Sequence, residues 1–276
     1  MMEIDRRTAA LLTLLAPVLA GGTARAGEIP GGNQAKPEAK MDIIPSDWKG
    51  SEKIAIVIYD HMTPLDVMGP HYFLARLLGA DIQFVARDMK PVQGGNGLVI
   101  MPTATFENCP KDLDILLVGG GSTGTLAAMR DSATIDFLAD RGSRAKWVTS
   151  VCTGSLLLGQ AGLLRGYRAT SHWIGRPLLK DFGAIEVDER VVFDRNRVTG
   201  AGVSAGLDFA LALIMRLRPL AAAQAAQLFA EYAPEPPLNN GTPDRAPPEV
   251  LNIAREALAD FVSGVQDTAR SARIAK

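Results

Sequence analysis

The sequence predicts an α/β protein, a three-layer α/β/α sandwich around a mostly parallel central sheet, and three observations carry that prediction. Short apolar runs rich in β-branched residues alternate with stretches of helical periodicity, the pattern of right-handed βαβ units with helices on both faces of a sheet. The runs KIAIVIY (53–59), DLDILLV (112–118) and WVTSV (147–151) are apolar almost throughout rather than alternating, as strands buried on both faces are. With 276 residues, 47% of them apolar, the chain can bury a full core, and a net charge of −1 leaves no basic surplus that would point to nucleic acid.

The N-terminus is set aside from the fold. A short polar stretch ends in Arg6 and Arg7, the moderately apolar TAALLTLLAPVLAGG follows, and Ala24, Arg25 and Ala26 form a small-x-small cleavage site. Residues 1–26 therefore read as a cleaved secretory signal, and the paired arginines suggest the twin-arginine type, with export to the periplasm. The apolar run is shorter than the ~20 residues of a membrane span, and no later segment could cross a membrane. Residues 27–50, rich in Pro, Gly and charge, read as a linker, and the folded domain is expected over 51–250.

Within that domain KIAIVIY is the first strand, LDVMGPHYFLARLL (65–78) a helix and DIQFVAR (81–87) the second strand. DLDILLV runs into Gly119, Gly120 and Gly121, two helical segments follow, and WVTSV leads into TGSLLLGQAGLL (153–164), which has helical spacing. YRATSHW, AIEVDERVVFD and RVTGAG read as edge strands and a hairpin. GVSAGLDFALALIMRLR (202–218) reads as a long apolar helix and AAAQAAQLFAEY as a second one. A proline-rich turn, APEPPLNNGTPDRAPP (233–248), precedes a C-terminal amphipathic helix and basic tail over 251–276.

Cys152 stands where a buried strand stops and a helix starts. The pentad Ser150, Val151, Cys152, Thr153, Gly154 has the spacing of a nucleophile elbow, with serine in place of the first glycine. A helix N-terminus there would favour the thiolate; the competing reading is an inert buried thiol. Open α/β sheets gather their sites at the carboxyl ends of strands, so Asp66, after the first strand, and the glycines after the third run are expected to converge on Cys152. Asp66 reads either as an acid facing the thiol, its pKa raised by burial and the nearby thiolate, or as half of a capping box with Thr63. The N–H groups of Gly120 and Gly121 are candidate oxyanion donors, and Thr153 adds a hydroxyl that could instead cap the helix. His172 is a candidate pocket residue or base, its alternative being packing beside Trp173. His61, His71 and His172 have no zinc-ligand spacing, so no metal is expected, and no cofactor motif is present. A Cys109–Cys152 disulfide is open to an exported protein, but the spacing gives no reason to pair them.

At LDVMGP, TFENCP, SVCTGSLLLGQAGLLRGYRATSHW, TGAGVSAGLDFAL and EYAPEPPLNNGTPDRAP the chain resembles the ThiJ/PfpI superfamily, of class I glutamine amidotransferase-like, flavodoxin-like fold, and within it the isonitrile hydratases. The resemblance implies that Cys152 is the nucleophile, Asp66 its acid/base partner and Thr153 a residue shaping the site. It further implies a small-molecule substrate, a homodimer, and a hydro-lyase reaction that adds water to an organic isonitrile to give an N-substituted formamide. Protease-like members have histidine directly after the cysteine, where this chain has Thr153; Gly119 stands where a proline is frequent. Glyoxalase or deglycase chemistry on small aldehydes, redox sensing through Cys152, and a ligand-binding regulator remain alternatives, the last disfavoured by the short tail after 250.

Overall fold

The computed structural model describes residues 43–274, so the signal expected over residues 1–26 and most of the linker lie outside the described residues. Five strands form the middle of one sheet, four of them buried almost throughout, β1 (Lys53–Val57), β6 (Ile115–Val118), β7 (Trp147–Val151) and β11 (Arg197–Gly200), and one buried only at its end, β2 (Asp81–Ala86). The edges are β5 (Ala104–Thr105) and β10 (Val191–Asp194), and the order is β10-β11-β7-β6-β1-β2-β5. Every pairing is parallel except the β10–β11 hairpin. Two small sheets, β3 (Val92–Gln93) with β4 (Val99–Ile100) and β8 (Arg168–Ala169) with β9 (Ile185–Glu186), lie outside it.

Helices cover both faces, as the flavodoxin-like α/β class requires. Alternate residues of β1 and just beyond it show the layering: Ile54, Ile56 and then Ile58 pack on the side of Phe73 and Phe209, from α1 (Leu65–Leu74) and α5 (Ala205–Leu217). Ala55 and Val57 face the other side, toward α2 (Thr123–Arg130), α3 (Ser132–Arg144) and α4 (Gly154–Gln160). A side-chain period of two on a two-faced sheet produces this split.

Three details depart from expectation. RVTGAG supplies β11, which is no edge: it is inserted between β7 and β10, with all four residues buried. The C-terminal helix is two, α7 (Pro248–Ala257) and α8 (Ala259–Ile274), separated at Leu258, whose ψ of 6° departs from the helix. α6 (Leu220–Phe229) is shorter than AAAQAAQLFAEY suggested, because Glu231 takes a φ of +47°.

Residues at the end of the stretch read as linker are bonded to the fold. Gly50 N–H donates to Leu78 O at 2.8 Å, and Arg218 donates from Nε to Trp48 O at 3.0 Å and through both terminal nitrogens to Glu52 at 2.6 Å. Gly79, at φ +90°, allows the crossing: a Cβ there would lie 2.1 Å from Gly50 O. Among the described residues no helix is long and apolar enough to cross a membrane.

Candidate active site

The strand order reverses beside β1, which pairs with β2 on one side and β6 on the other. Such a switch point opens a crevice at the carboxyl ends of the strands. Here the segments after β1, β6 and β7 do meet: Thr63 N–H donates to Gly120 O at 2.7 Å, and Gly121 N–H donates to Thr153 Oγ1 at 3.0 Å.

Cys152 occupies the tip of a strand-to-helix turn with φ +60°, a left-handed conformation costing a non-glycine residue about 1–3 kcal/mol. The surroundings over-determine it. Its N–H is shared by Gly200 O at 3.1 Å and Ala201 O at 2.7 Å, and its carbonyl accepts the hydroxyls of Ser155 at 3.1 Å and Ser171 at 3.0 Å. Small neighbours are needed as the pentad implies: a Cβ on Gly154 would stand 2.4 Å from Val118 O. Ser171 is a supporting residue that the sequence reading passed over in favour of its neighbour His172.

Asp66 is fully buried in the first turn of α1. The capping-box alternative fails, because Asp66 does not reach back to Thr63. Its Oδ2 accepts Gly120 N–H at 2.8 Å, while Thr63 spends its own N–H on Gly120 O. Oδ1 is buried without a hydrogen-bond partner. The carboxyl and the Cys152 thiol lie close enough to act on one another: the sulfur draws the carboxyl pKa down and the carboxylate pushes the thiol up.

Burial dominates both groups. It raises Asp66 from the ordinary 3.8 to about 6, against the Gly120 N–H and the nearby Cys152 thiol, which favour the carboxylate. It also lifts the thiol well above its usual range, assisted by Asp66 and opposed by the backbone N–H of Thr153. The thiolate expected from the helix N-terminus is thus corrected. α4 has only 7 residues, and Cys152 is 5% exposed beside an acid. Between the two pKa values the pair holds one proton, and it rests on sulfur.

The glycine turn serves a different purpose from the one expected. Gly120 and Gly121 were candidate oxyanion donors, but both N–H groups are already committed, to Asp66 and to Thr153. A Cβ on Gly120 would fall 2.4 Å from Thr153 Oγ1, so the glycines let the turn press against the elbow. Thr153 makes no capping bond to α4; its hydroxyl donates to Gly121 O at 2.6 Å and meets Thr125 Oγ1 at 3.0 Å. Thr125 in turn meets the Tyr59 hydroxyl at 3.1 Å, which donates to Gly119 O at 2.8 Å. Tyr59 and Thr125 were not singled out from sequence. Tyr59 ends KIAIVIY and could have been read as a strand-end residue, whereas nothing in GSTGTLA marks Thr125.

A cavity of about 700 Å³ is lined among others by Leu65, Ser171, His172, Trp173 and Val203, and it meets the elbow through Ser171 and Ala201, which are hydrogen-bonded to the Cys152 backbone. Residues 241–244 of the proline-rich turn supply another wall. His172 is half-buried, its pKa lowered by burial, and its Nδ1 receives the Ile174 N–H at 3.5 Å rather than a group of Asp66 or Cys152. Its place is the cavity wall. Both cysteines are free thiols; Cys109 is buried beside Arg141, which donates to its carbonyl at 3.1 Å. Among the described residues no group of three His, Cys, Asp or Glu side chains is placed to hold a metal ion.

Comparison with known proteins places this geometry in context. A model of the DJ-1/PfpI family matches residues 52–216. The chain is 46% identical to an isonitrile hydratase of Pseudomonas putida over 207 residues, covering 75% of this chain and 90% of that one. It is 27% identical to a deglycase of Pyrococcus abyssi over 152 residues, 53% of this chain and 88% of the other. The crystal structure of a ThiJ/PfpI family protein from Pseudomonas syringae superposes with a TM-score of 0.80 at 49% identity, covering 86% of this chain and 98% of that one.

Proposed function

Because the chain belongs to the DJ-1/PfpI family, we propose that it is a cysteine-dependent hydratase that adds water to an organic isonitrile and releases an N-substituted formamide. The observation that carries this reading is a buried acid, Asp66, close enough to the buried Cys152 thiol for each to shift the other's pKa, with Ser171 and Ala201, which hold the Cys152 backbone, lining a cavity of about 700 Å³. Similarity to an isonitrile hydratase over 90% of that enzyme's length supports the substrate class.

The chemistry uses the one shared proton. The isonitrile carbon is a poor electrophile until protonated. In the first step Asp66 takes the thiol proton and passes it to that carbon while sulfur bonds to it, a 1,1-addition of S–H that gives the thioimidate R–N=CH–S–Cys152. In the second step the carboxylate takes a proton from water as the oxygen adds to the same carbon, and passes that proton to the nitrogen. Collapse of the tetrahedral R–NH–CH(OH)–S–Cys152 breaks the C–S bond, releases R–NH–CHO and returns the proton to sulfur. One water is consumed and no redox change occurs. Thr153 holds the turn that carries Asp66's hydrogen-bond donor, and His172 contributes to the wall around the substituent R.

The reading is tested by incubating the protein with cyclohexyl or benzyl isonitrile, following the isocyanide stretch by infrared and the formamide by mass. A parallel incubation with a small α-oxoaldehyde tests the deglycase alternative, which would use the same thiol and acid. Stoichiometric formamide is expected. Turnover of the aldehyde alone would replace the hydratase reading with the deglycase one.

We extend the reading to a periplasmic homodimer. Export rests on residues 1–26, and cell fractionation with N-terminal sequencing of the mature protein tests it. Dimerisation is supported by Leu65, Met68 and Tyr72, which share one exposed side of α1 at helical spacing. Sedimentation of the mature protein is expected to give twice the chain mass, and a monomer across micromolar concentrations would refute the dimer.

A further inference from the structure

We propose that Tyr59 is a positioning residue for the acid of this site, acting on the Asp66 carboxyl through the one peptide group that joins Gly119 to Gly120. The inference deepens the proposed function, since it rests on Asp66 being the group that moves the proton.

The two atoms involved belong to the same amide. Its carbonyl oxygen, on Gly119, accepts the Tyr59 hydroxyl at 2.8 Å, and its N–H, on Gly120, donates to Asp66 Oδ2 at 2.8 Å. A hydrogen bond onto the carbonyl polarises the amide and makes its N–H a stronger donor, so the bonds along Tyr59–amide–Asp66 reinforce one another. The same bond fixes the plane of the amide. This matters because Gly119, Gly120 and Gly121 have no side chains to hold the turn.

Proton bookkeeping along the buried hydroxyls keeps Tyr59 in the donor role. Tyr59, Thr125 and Thr153 have one hydroxyl proton each. Thr153 directs its proton to Gly121 O at 2.6 Å, and Tyr59 directs its own to Gly119 O. Thr125, 3.1 Å from Tyr59 and 3.0 Å from Thr153, has the remaining proton to give to either neighbour. Tyr59 cannot turn away without leaving a buried carbonyl unpaired, which costs about 1–3 kcal/mol. Burial, and then the charges of Asp66 and Cys152, push the phenol pKa up, so the hydroxyl stays a donor wherever the enzyme works.

The titratable groups facing Asp66 are few. From the end of β7 the Cys152 thiol acts on the carboxyl, and from the end of β1 the Tyr59 hydroxyl stands near enough to sense its charge. From α5 the charged side chain nearest in sequence to the contact with α1 is Asp208, which is paired with Arg190. The Gly120 N–H is therefore the main stabilising bond that a substitution can weaken without altering the thiol.

The experiment is carbon-13 NMR of aspartate-labelled protein, with the Asp66 carboxyl assigned by its disappearance in Asp66→Asn and titrated directly. The wild-type midpoint is expected near 6. Tyr59→Phe keeps the ring and removes the donor, so the midpoint should move upward. 3-Fluorotyrosine placed at position 59, a stronger donor, should move it downward, and it serves as the test if Tyr59→Phe does not fold. In turnover with benzyl isonitrile the acidic limb of kcat should follow the NMR midpoint while KM stays constant. An unmoved midpoint in either folded variant overturns the proposal. Because the titration needs no substrate, a protein that fails to hydrate isonitriles would sink the functional reading and still decide the role of Tyr59.

Discussion

Cys152→Ala is expected to lose isonitrile turnover by roughly 10⁴- to 10⁶-fold, the scale of removing a covalent nucleophile, while binding the formamide product much as the parent does. In the proposed reaction the thiol supplies both the attacking atom and the proton that reaches the carbon, so no other group can substitute for it. The backbone adds a sharper expectation. Position 152 sits at φ +60°, where alanine is as strained as cysteine and glycine is not. Cys152→Gly should therefore be as inactive as the alanine variant yet more stable by about 1 kcal/mol in denaturant unfolding. Measurable multiple turnover by either variant would end the nucleophile assignment, and a glycine variant no more stable than alanine would end the strain argument.

Asp66→Asn should cost about 10²- to 10⁴-fold in kcat, the usual contribution of a positioned acid or base, with KM little changed because the carboxyl handles a proton rather than the substituent. In the wild type, activity should fall as pH drops through about 6, where Asp66 becomes protonated and can no longer accept the thiol proton. Stability moves the opposite way. The native carboxyl pKa, about 6, exceeds its ordinary 3.8, so between these values the folded state binds more protons than the unfolded one. The contribution of this carboxyl to stability therefore falls as pH rises from about 3.8 to 6, and the full penalty applies above that. At about 1.4 kcal/mol per pKa unit the penalty is roughly 3 kcal/mol. The asparagine variant, neutral throughout, should gain up to that amount at pH 8 and nearly nothing at pH 4. A stability difference between the asparagine variant and the wild type that is the same at pH 4 and pH 8 would contradict the raised pKa. A gain in stability on losing a buried charge is what a functional, otherwise unfavourable group predicts.

The elbow was legible because its signal is local. A β-branched run, one cysteine and a small-residue helix start lie within a few positions, and the left-handed backbone at Cys152 with the close approach at Gly154 is the physical content of that pattern. Asp66 was legible only as a choice between cap and acid, since both readings use the same residue at the same turn. What separated them was the destination of one N–H, from Gly120, 54 positions away. The glycine turn was located correctly and given the wrong chemistry, because a sequence shows that N–H groups can be exposed and not which acceptor claims them.

Continuous apolar strands, their alternation with helices, and the place of Cys152 at a strand end were written into the chain itself, since strand period and turn chemistry act over a few residues. The protonation of the Cys152–Asp66 pair, the buried Tyr59–Thr125–Thr153 chain and the insertion of β11 were decided only by tertiary structure. Each depends on how much water is excluded and on which distant groups meet, and both are set when α1, the glycine turn and the elbow close on one another.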